Sequence, residues 1–510
     1  MSSIDLKQVE QKIEEYRTEM TDALSGLVSI PSVAVRTSGP NPFGDAVQQA
    51  WEYMQAKAGE AGFTCFDADH FGGHIDLRGQ GDGILGIIGH LDVVPEGNDW
   101  DFEPYGGQIS DGFVCGRGTM DDKGPVIASF YAMKALHDCG YVPEKTIRMI
   151  LGLDEETNWE GMEHYLAFVE ERPDCGFTPD ADFPVIHGEM GILVFDIARK
   201  FGRTQEKGLQ LRSVTGGTAP NAVPDSARAV IYDETSSGYD EIKTMISTLR
   251  EETGHKIYFK GIGKSLEIRT QGTAAHGSKP ESGLNAISIL MDVLSMLHFA
   301  NDDVTDFIRF YRDHIGFDMH GERIGCALSD EASGPLIWNT GMIELDKGSV
   351  RLTINIRYPV TLDADQVYDG IAEVTAPYDL GIIKGKGQLP IYIPADDPLV
   401  TTLMDIYRRQ TGDTESQPLV IGGGTYARAM DNIVAFGARF PGQPELEHQK
   451  NEKISIDSLV LLAKIYAEAI YRLAGEAEPV EAESATSETE SAAAEATEVA
   501  AVENEPEENS

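Results

Sequence analysis

One stretch of this sequence restricts the fold more than any other, because a buried strand, a helix and a second strand follow one another between residues 83 and 156. The run GILGIIG is short and apolar and ends abruptly at His90. KGPVIASFYAMKALHDCG predicts a helix that Gly140 stops, and TIRMILGLDEE then returns to a strand. Strand, helix, strand is typical of a parallel sheet, so we predict an α/β fold with a mixed, largely parallel sheet.

The middle of the chain has a different pattern, in which alternating strands such as SLEIRTQG and SVRLTINIRYP are separated by helices. We therefore predict a catalytic domain built from residues 1–189 and 385–474, with an α+β lid domain inserted at 190–384. Residues 475–510 contain no Lys or Arg and little apolar surface, which predicts a disordered acidic tail. Further helices are predicted at 46–61, 239–251, 283–299, 397–410 and 454–473.

Charge narrows the range of partners. The 510 residues include 41 Lys and Arg against 84 Asp and Glu, a net charge of -43, which would repel phosphate backbones and anionic lipid surfaces. We therefore expect neither nucleic acid nor membrane as a partner. The five scattered cysteines and the absence of a basic, apolar leader at the amino terminus lead us to expect a cytoplasmic protein.

Imidazole and carboxylate side chains follow both predicted strands. His90-Leu91-Asp92 lies just beyond the first, and Glu155 and Glu156 end the second. Ligands of α/β sheets bind outside the carboxyl ends of strands, so these distant residues are expected to converge. Alone, a His-x-Asp pair is more often an ordinary turn than a metal site.

Three further segments carry the same residue types. GRGTMDDKGP places Asp121 and Asp122 before a helix, where one of them could serve as an N-cap while the other faces a cation. FTPDADFP contains Asp180, and ELEHQKNE contains His448, which by itself would more often be a surface residue. Together these residues have the nitrogen and oxygen preference of zinc, cobalt or manganese.

The motifs HLDVVPEG, GRGTMDDKGP, LDEET, TPDADFP and EHQKNE occur in an order that resembles the co-catalytic metallopeptidase family of aminoacylases, glutamate carboxypeptidases and desuccinylases. Within it the chain is most similar to bacterial PepV-type dipeptidases, part of which are called Xaa-His dipeptidases or carnosinases. The resemblance covers nearly all of residues 1–474. It implies two divalent ions, with zinc favoured and manganese or cobalt as alternatives.

The resemblance also implies a ligand set. Asp121 would bridge the two ions, His90 and Asp180 would complete one site, and Glu156 and His448 would complete the other. Two ions about 3.5 to 4 Å apart can share one water and lower its pKa toward neutrality. At Asp180 several relatives carry Glu, so this arm is shorter here but keeps its charge.

The remaining roles follow from the same resemblance. Asp92 would orient His90, and Glu155 would be the general base. His276, in GTAAHGSKPESGLNAI, resembles the lid histidine that stabilises the oxyanion, and Asn221 resembles a second lid contact. As bare residues both have ordinary structural explanations, such as helix entry for His276.

Substrate contacts are implied at two more places. Arg357 in NIRYP resembles the residue that binds the substrate carboxylate, and GGGTYAR would offer backbone amides at Gly423 and Gly424, although a plain flexible turn is an equal alternative there. The predicted function is a metal-dependent dipeptidase that hydrolyses dipeptides with a free amino terminus, with Xaa-His and β-Ala-His as candidate substrates. A monomer is expected. An N-acyl amino acid deacylase of the same family and an inactive peptide-binding protein are the alternatives.

Overall fold

The computed structural model describes residues 4–202, 207–236 and 238–477 and contains two large sheets with separate hydrophobic cores. One sheet is formed by residues from both ends of the described chain. The other is formed by a continuous segment between them. This mixed α/β architecture confirms the predicted fold class. Of the acidic tail predicted at 475–510, residues 475–477 are described and pair with residues 142–144, and the rest lies outside the described residues.

The first sheet has nine strands, and its middle is parallel. Three neighbouring pairs there run parallel, whereas the pairs toward the first edge run antiparallel. In spatial order the strands are Thr64–Asp67, Gly72–Leu77, Thr146–Gly152, Ile84–His90, Cys175–Thr178, Ile433–Ala435, Ile186–Glu189 and Ile391–Tyr392, with Leu419–Ile421 also paired to Ile186–Glu189.

The central strands are buried along their whole length, because helices cover the sheet. Every residue of Ile84–His90 and Thr146–Gly152 is buried, as expected for strands with both faces covered. The helix predicted after Lys123 spans Lys123–Asp138, and Gly140 beyond it has the positive φ of +86° that favours glycine at a helix end. The other helices of this part are Leu6–Glu15, Arg17–Val28, Asp45–Glu60, Glu160–Phe168, Pro398–Thr411 and Ile456–Ala474.

The second sheet has eight strands, all of them antiparallel. In spatial order they are Lys256–Ile262, Ser265–Gln271, Ser226–Tyr232, Gln210–Gly216, Ile337–Leu345, Ser349–Tyr358, Gly191–Lys200 and Gly381–Gln388. Its helices are Tyr239–Thr253, Ala286–Ser295, Asp302–His314 and Ala364–Thr375.

The chain passes between the two sheets twice. Ile186–Glu189 belongs to the first sheet and Gly191–Lys200 to the second, while Gly381–Gln388 belongs to the second and Ile391–Tyr392 to the first. We propose that these crossings separate two domains, a central domain and an insert of residues 191–388. On this basis the insert ends four residues later than 384, because the last strand continues to Gln388.

Candidate metal centre

The segments that carry His90 and the pair Glu155 and Glu156 meet at one edge of the nine-stranded sheet. Strands Ile84–His90 and Thr146–Gly152 are parallel neighbours, and His90 lies opposite Gly152 in the register. The residues that follow each strand therefore leave the sheet side by side. This topology brings His90 and Asp92 next to Glu155 and Glu156.

Asp121 lies in the middle of the five predicted ligands. Its Oδ1 is 3.0 Å from Nε2 of His90, and its Oδ2 is 2.9 Å from Nε2 of His448. Oδ2 of Asp180 is 3.5 Å from the same His90 nitrogen, and Oε1 of Glu156 is 3.0 Å from His448. The arrangement has two ends, one at His90 and Asp180 and the other at Glu156 and His448, with Asp121 between them.

Asp92 and Glu155 lie beside these ligands. Nδ1 of His90 donates to the backbone carbonyl of Asp92 at 2.9 Å, and the Asp92 carboxylate is 3.4 Å away. That carboxylate accepts the backbone N–H groups of Glu155 and Glu156, each at 3.0 Å. Asp92 thus contacts both the histidine and the acidic turn. Ligand atoms of Glu155, His90 and Asp180 lie within 4.8 Å of one another.

The electrostatics of this cluster fit a divalent cation. Burial raises the pKa of Glu155 well above its usual range, and burial and the Asp121 charge raise that of Glu156 to about 7. Burial would lower the pKa of His90, but its hydrogen bond with Asp121 helps to raise it, and hydrogen bonds with Asp121 and Glu156 raise that of His448 to about 11. The buried carboxylates favour the protonated, positively charged imidazoles. A divalent cation would balance the same negative charge.

The helix that follows Asp121 begins without a side-chain cap. Asp122 occupies the N-cap position of Lys123–Asp138, but its carboxylate makes no capping hydrogen bond. Instead its Oδ2 accepts the backbone N–H of His90 at 3.1 Å. Asp122 therefore joins the loop that carries Asp121 to the strand that carries His90.

Glu452 was not singled out from the sequence, although it lies inside the motif EHQKNE. It is fully buried, and its carboxylate accepts hydrogen bonds from the backbone N–H groups of Gly118 and Met120 at 3.0 and 2.8 Å. Nη1 of Arg117 also donates to it at 2.7 Å, and the Asp121 N–H does so at 3.3 Å. Glu452 thus holds the loop that presents Asp121. The only feature of the sequence that could have indicated Glu452 is its position as an acidic residue four places after His448.

Two residues predicted to approach the substrate from the insert are neighbours. Asn221 and His276 both lie on exposed segments, and the Asn221 carbonyl accepts the backbone N–H of Gly277 at 2.7 Å. Partial burial and the charges of Arg357 and Lys279 lower the pKa of His276. This lowering favours the neutral imidazole, which can donate one N–H.

Arg357 is a buried cation without an acidic neighbour in hydrogen-bond range. The other arginines with buried side chains among the described residues are paired, Arg117 with Glu452, Arg148 with Asp76 and Arg428 with Glu189. The described ion pairs include none for Arg357, and its Nε has no hydrogen-bond partner. Burial and the neighbouring Arg428 lower its pKa to about 10. An anion is needed to balance this charge.

The glycine segment 422–424 contacts the insert. A Cβ on Gly422 would lie 3.0 Å from Cβ of Ser278 and 3.4 Å from Cγ of Arg357. A Cβ on Gly424 would lie 2.8 Å from Nε of Arg428. The glycines permit close approach here rather than an unusual φ, which favours a packed segment over the flexible turn that was the alternative.

The fold and the site define a metal-dependent hydrolase, and comparison with known proteins agrees. The sequence matches peptidase family M20/M25/M40 over residues 86–472, so the chain belongs to this family. It is a metallopeptidase that uses a divalent metal ion. The resemblance noted from the motifs is thereby confirmed.

Individual relatives narrow the comparison. A protein of Staphylococcus haemolyticus named "Putative dipeptidase" is 38% identical over 473 residues, which cover 91% of this chain and 99% of that protein. Among solved structures, aminoacylhistidine dipeptidase from Vibrio alginolyticus has a TM-score of 0.54 at 16% identity, covering 90% of this chain and 96% of the other. The metallo-carboxypeptidase Sso-CP2 from Sulfolobus solfataricus has a TM-score of 0.52 at 14% identity, covering 89% and 98%. The two structures show a shared fold.

Proposed function

We propose that the chain is a metal-dependent dipeptidase that hydrolyses small dipeptides with a free amino terminus. Two observations support the proposal: imidazoles and carboxylates cluster around Asp121, and Arg357 is a buried cation whose Nε has no hydrogen-bond partner. The relatives named as dipeptidases, which align over nearly the whole chain, support the same activity.

The ligand roles are part of this proposal. His90 and Asp180 would hold one ion, Glu156 and His448 a second, and Asp121 would contact both, with zinc favoured by the mixture of imidazole and carboxylate. When bound, such ions supply a Lewis acid that polarises the amide carbonyl and activates water. Each imidazole must be neutral to serve as a ligand, so metal binding would release the protons that the histidines hold in its absence.

Glu155 is suited to move a proton. It lies beside His90 and Asp180 at the strand end, and the Asp92 carboxylate fixes its backbone. We propose that it accepts a proton from water and delivers it to the leaving amine. The neutral His276 would donate its N–H to the oxyanion that develops on the carbonyl, and Asn221 would make a neighbouring contact.

Arg357 would bind the substrate carboxylate. A guanidinium matches a carboxylate through two parallel hydrogen bonds, and burial makes this interaction stronger than it is in water. Gly422 packs against Arg357, and the backbone of the next two residues, Gly423 and Gly424, would contribute donors. An N-acyl amino acid also has such a carboxylate, so Arg357 fits the deacylase alternative equally well. The free amine is what separates the two activities.

The test is a panel of free dipeptides, including β-Ala-His, set against their N-acetylated counterparts and N-acyl amino acids. We expect the free dipeptides to be cleaved, activity to be lost on chelation, and zinc, manganese or cobalt to restore it. Metal analysis would give the number of ions per chain. Cleavage of the N-acyl substrates in preference to free dipeptides would refute the dipeptidase proposal and favour a deacylase.

The cellular setting is also a proposal. None of the helices in the described part of the chain is long and apolar enough to cross a membrane. The strong net negative charge and the free cysteines support a cytoplasmic enzyme without nucleic acid or membrane partners. We propose a monomer, which sedimentation of the metal-loaded chain would test.

A further inference from the structure

We propose that the buried ion pair between Glu189 and Arg428 is a positioning unit that fixes the insert relative to the metal centre. The inference rests on the proposed function, because it assigns these residues a part in placing Arg357 for substrate binding. Neither residue lies in the metal cluster. Glu189 lies at the first crossing between the two sheets, and Arg428 contacts both crossings.

The Arg428 guanidinium contacts both crossings at once. Its Nη2 donates to the carbonyl of Met190 at 2.7 Å, and its Nη1 donates to the carbonyl of Leu389 at 2.7 Å. Met190 immediately precedes the first strand of the insert, and Leu389 immediately follows the last. Nη2 also donates to the carbonyl of Gly423 at 2.9 Å. One planar cation therefore links three segments that are remote in sequence.

Glu189 holds this cation in place. It is fully buried, its Oε2 is 2.6 Å from Nε of Arg428, and the Thr425 hydroxyl donates to its Oε1 at 2.7 Å. The Thr425 N–H also donates to Oε2, at 3.2 Å. A buried charge is strongly unfavourable unless it is paired, and the Glu189 carboxylate supplies this partner, although Nε of Arg428 makes no well-directed hydrogen bond. The pair balances Arg428 and leaves Arg357 as the unpaired cation nearby.

Two routes link Arg428 to Arg357, and the first runs through one strand pair. Met190 leads directly into Gly191–Lys200, and in that strand Ile192 lies opposite Arg357 in the register. By the second route, Gly422 packs against Arg357 and Ser278, and the carbonyl of the next residue, Gly423, accepts from Arg428. A shift of the Arg428 contacts would therefore displace Arg357 along two routes.

Such a restraint is needed because two domains joined by short crossings move relative to each other by default. A displacement of about 1 Å in a positioning group can reduce a rate by about 100-fold. Fixing both crossings with one side chain limits this motion at its origin.

The first test uses Arg428→Lys and Glu189→Gln in the full, metal-loaded chain. Lysine keeps the charge but cannot reach three carbonyls in a fixed plane, and glutamine removes the charge while keeping the shape. For each variant kcat/KM is measured for a dipeptide and for its carboxyl-terminal amide. We expect the preference for the free carboxylate to fall by about tenfold or more, mainly through KM, with metal content unchanged. A purely structural defect would lower kcat/KM for both substrates by the same factor.

Arg148→Lys is the matched control. Arg148 is also buried in the central sheet, with Nε and Nη2 each 3.0 Å from the Asp76 carboxylate, but it lies away from the crossings. We expect the control to keep the preference for a free carboxylate. An equal loss of preference in the control would mean that any buried ion pair has this effect, and the positioning role would be refuted.

The second measurement does not depend on activity. Spin labels at the exposed Cys65 of the central domain and at Lys260→Cys in the insert report the distance between the domains, in a background with Cys139 and Cys175 replaced by serine. We expect both pair variants to broaden this distance distribution. An unchanged distribution together with an unchanged substrate preference would overturn the inference. If the parent enzyme cleaves no dipeptide, the proposed function fails, and the distance distribution alone decides the positioning role.

Discussion

Replacing Glu452 by glutamine is expected to loosen the metal centre without touching a metal ligand. Both carboxylate oxygens of Glu452 are acceptors: Oε1 receives the N–H groups of Met120 and Asp121, and Oε2 receives those of Arg117 and Gly118. A glutamine side chain has one carbonyl oxygen and one NH2 group. In either orientation, two buried donors would face another donor.

The magnitude follows from this count of donors. A buried donor left without its acceptor costs about 1 to 3 kcal/mol, so two of them predict a loss of about 2 to 6 kcal/mol in the free energy of unfolding for Glu452→Gln. The affected loop also carries Asp121. Loss of a residue that orients a ligand typically weakens metal binding about 10- to 100-fold, and we expect a decrease of that size here.

Urea unfolding of the metal-free chain measures the first effect, and competition with a coloured chelator measures the second. Glu445→Gln is the matched control, because Glu445 belongs to the same segment, is 66% exposed and has its nearest cation, Arg439, at 3.4 Å. We expect the control to change stability by less than about 0.5 kcal/mol. A Glu452→Gln variant as stable as the control, with unchanged metal affinity, would refute the assigned role.

Three further outcomes are expected. Glu155→Ala should retain metal but lose turnover by about 100-fold or more, whereas Asp121→Ala should lose metal as well; equal metal loss in both, by elemental analysis, would mean that the roles are misassigned. Arg357→Met should raise KM for a dipeptide but leave its carboxyl-terminal amide nearly unaffected, and equal effects would exclude carboxylate binding. Burial lowers the pKa of His74 to about 4, so the free energy of unfolding should fall by up to about 3 kcal/mol as the pH falls from 6.5 to 4. His74→Gln should flatten this part of the pH profile measured by urea unfolding. An unchanged profile would contradict the assignment.

Local pattern was sufficient for most elements and for indicating the candidate ligands that the structure brings together. The helix predicted at 46–61 is Asp45–Glu60, and the one predicted at 397–410 is Pro398–Thr411. A helix buried on one face has apolar residues at a helical period in its sequence, so such elements can be predicted without a structure. The candidate ligands were visible for a related reason, since imidazoles and carboxylates that follow apolar strands stand out from their surroundings.

The amino-acid sequence by itself determined which side chains could bind metal and which segments would carry them to the edge of a sheet. Only the tertiary structure decided how those side chains are held. The backbone carbonyl of Asp92 contacts His90, and its carboxylate accepts the backbone N–H groups of Glu155 and Glu156. Glu452 holds a loop more than 330 positions away in the chain. The contacts of Arg428 with Met190, Gly423 and Leu389 are made to backbone carbonyl groups, which every residue carries. A bond to a carbonyl depends on where the backbone runs and leaves no mark in residue identity, so long-range packing alone specifies it.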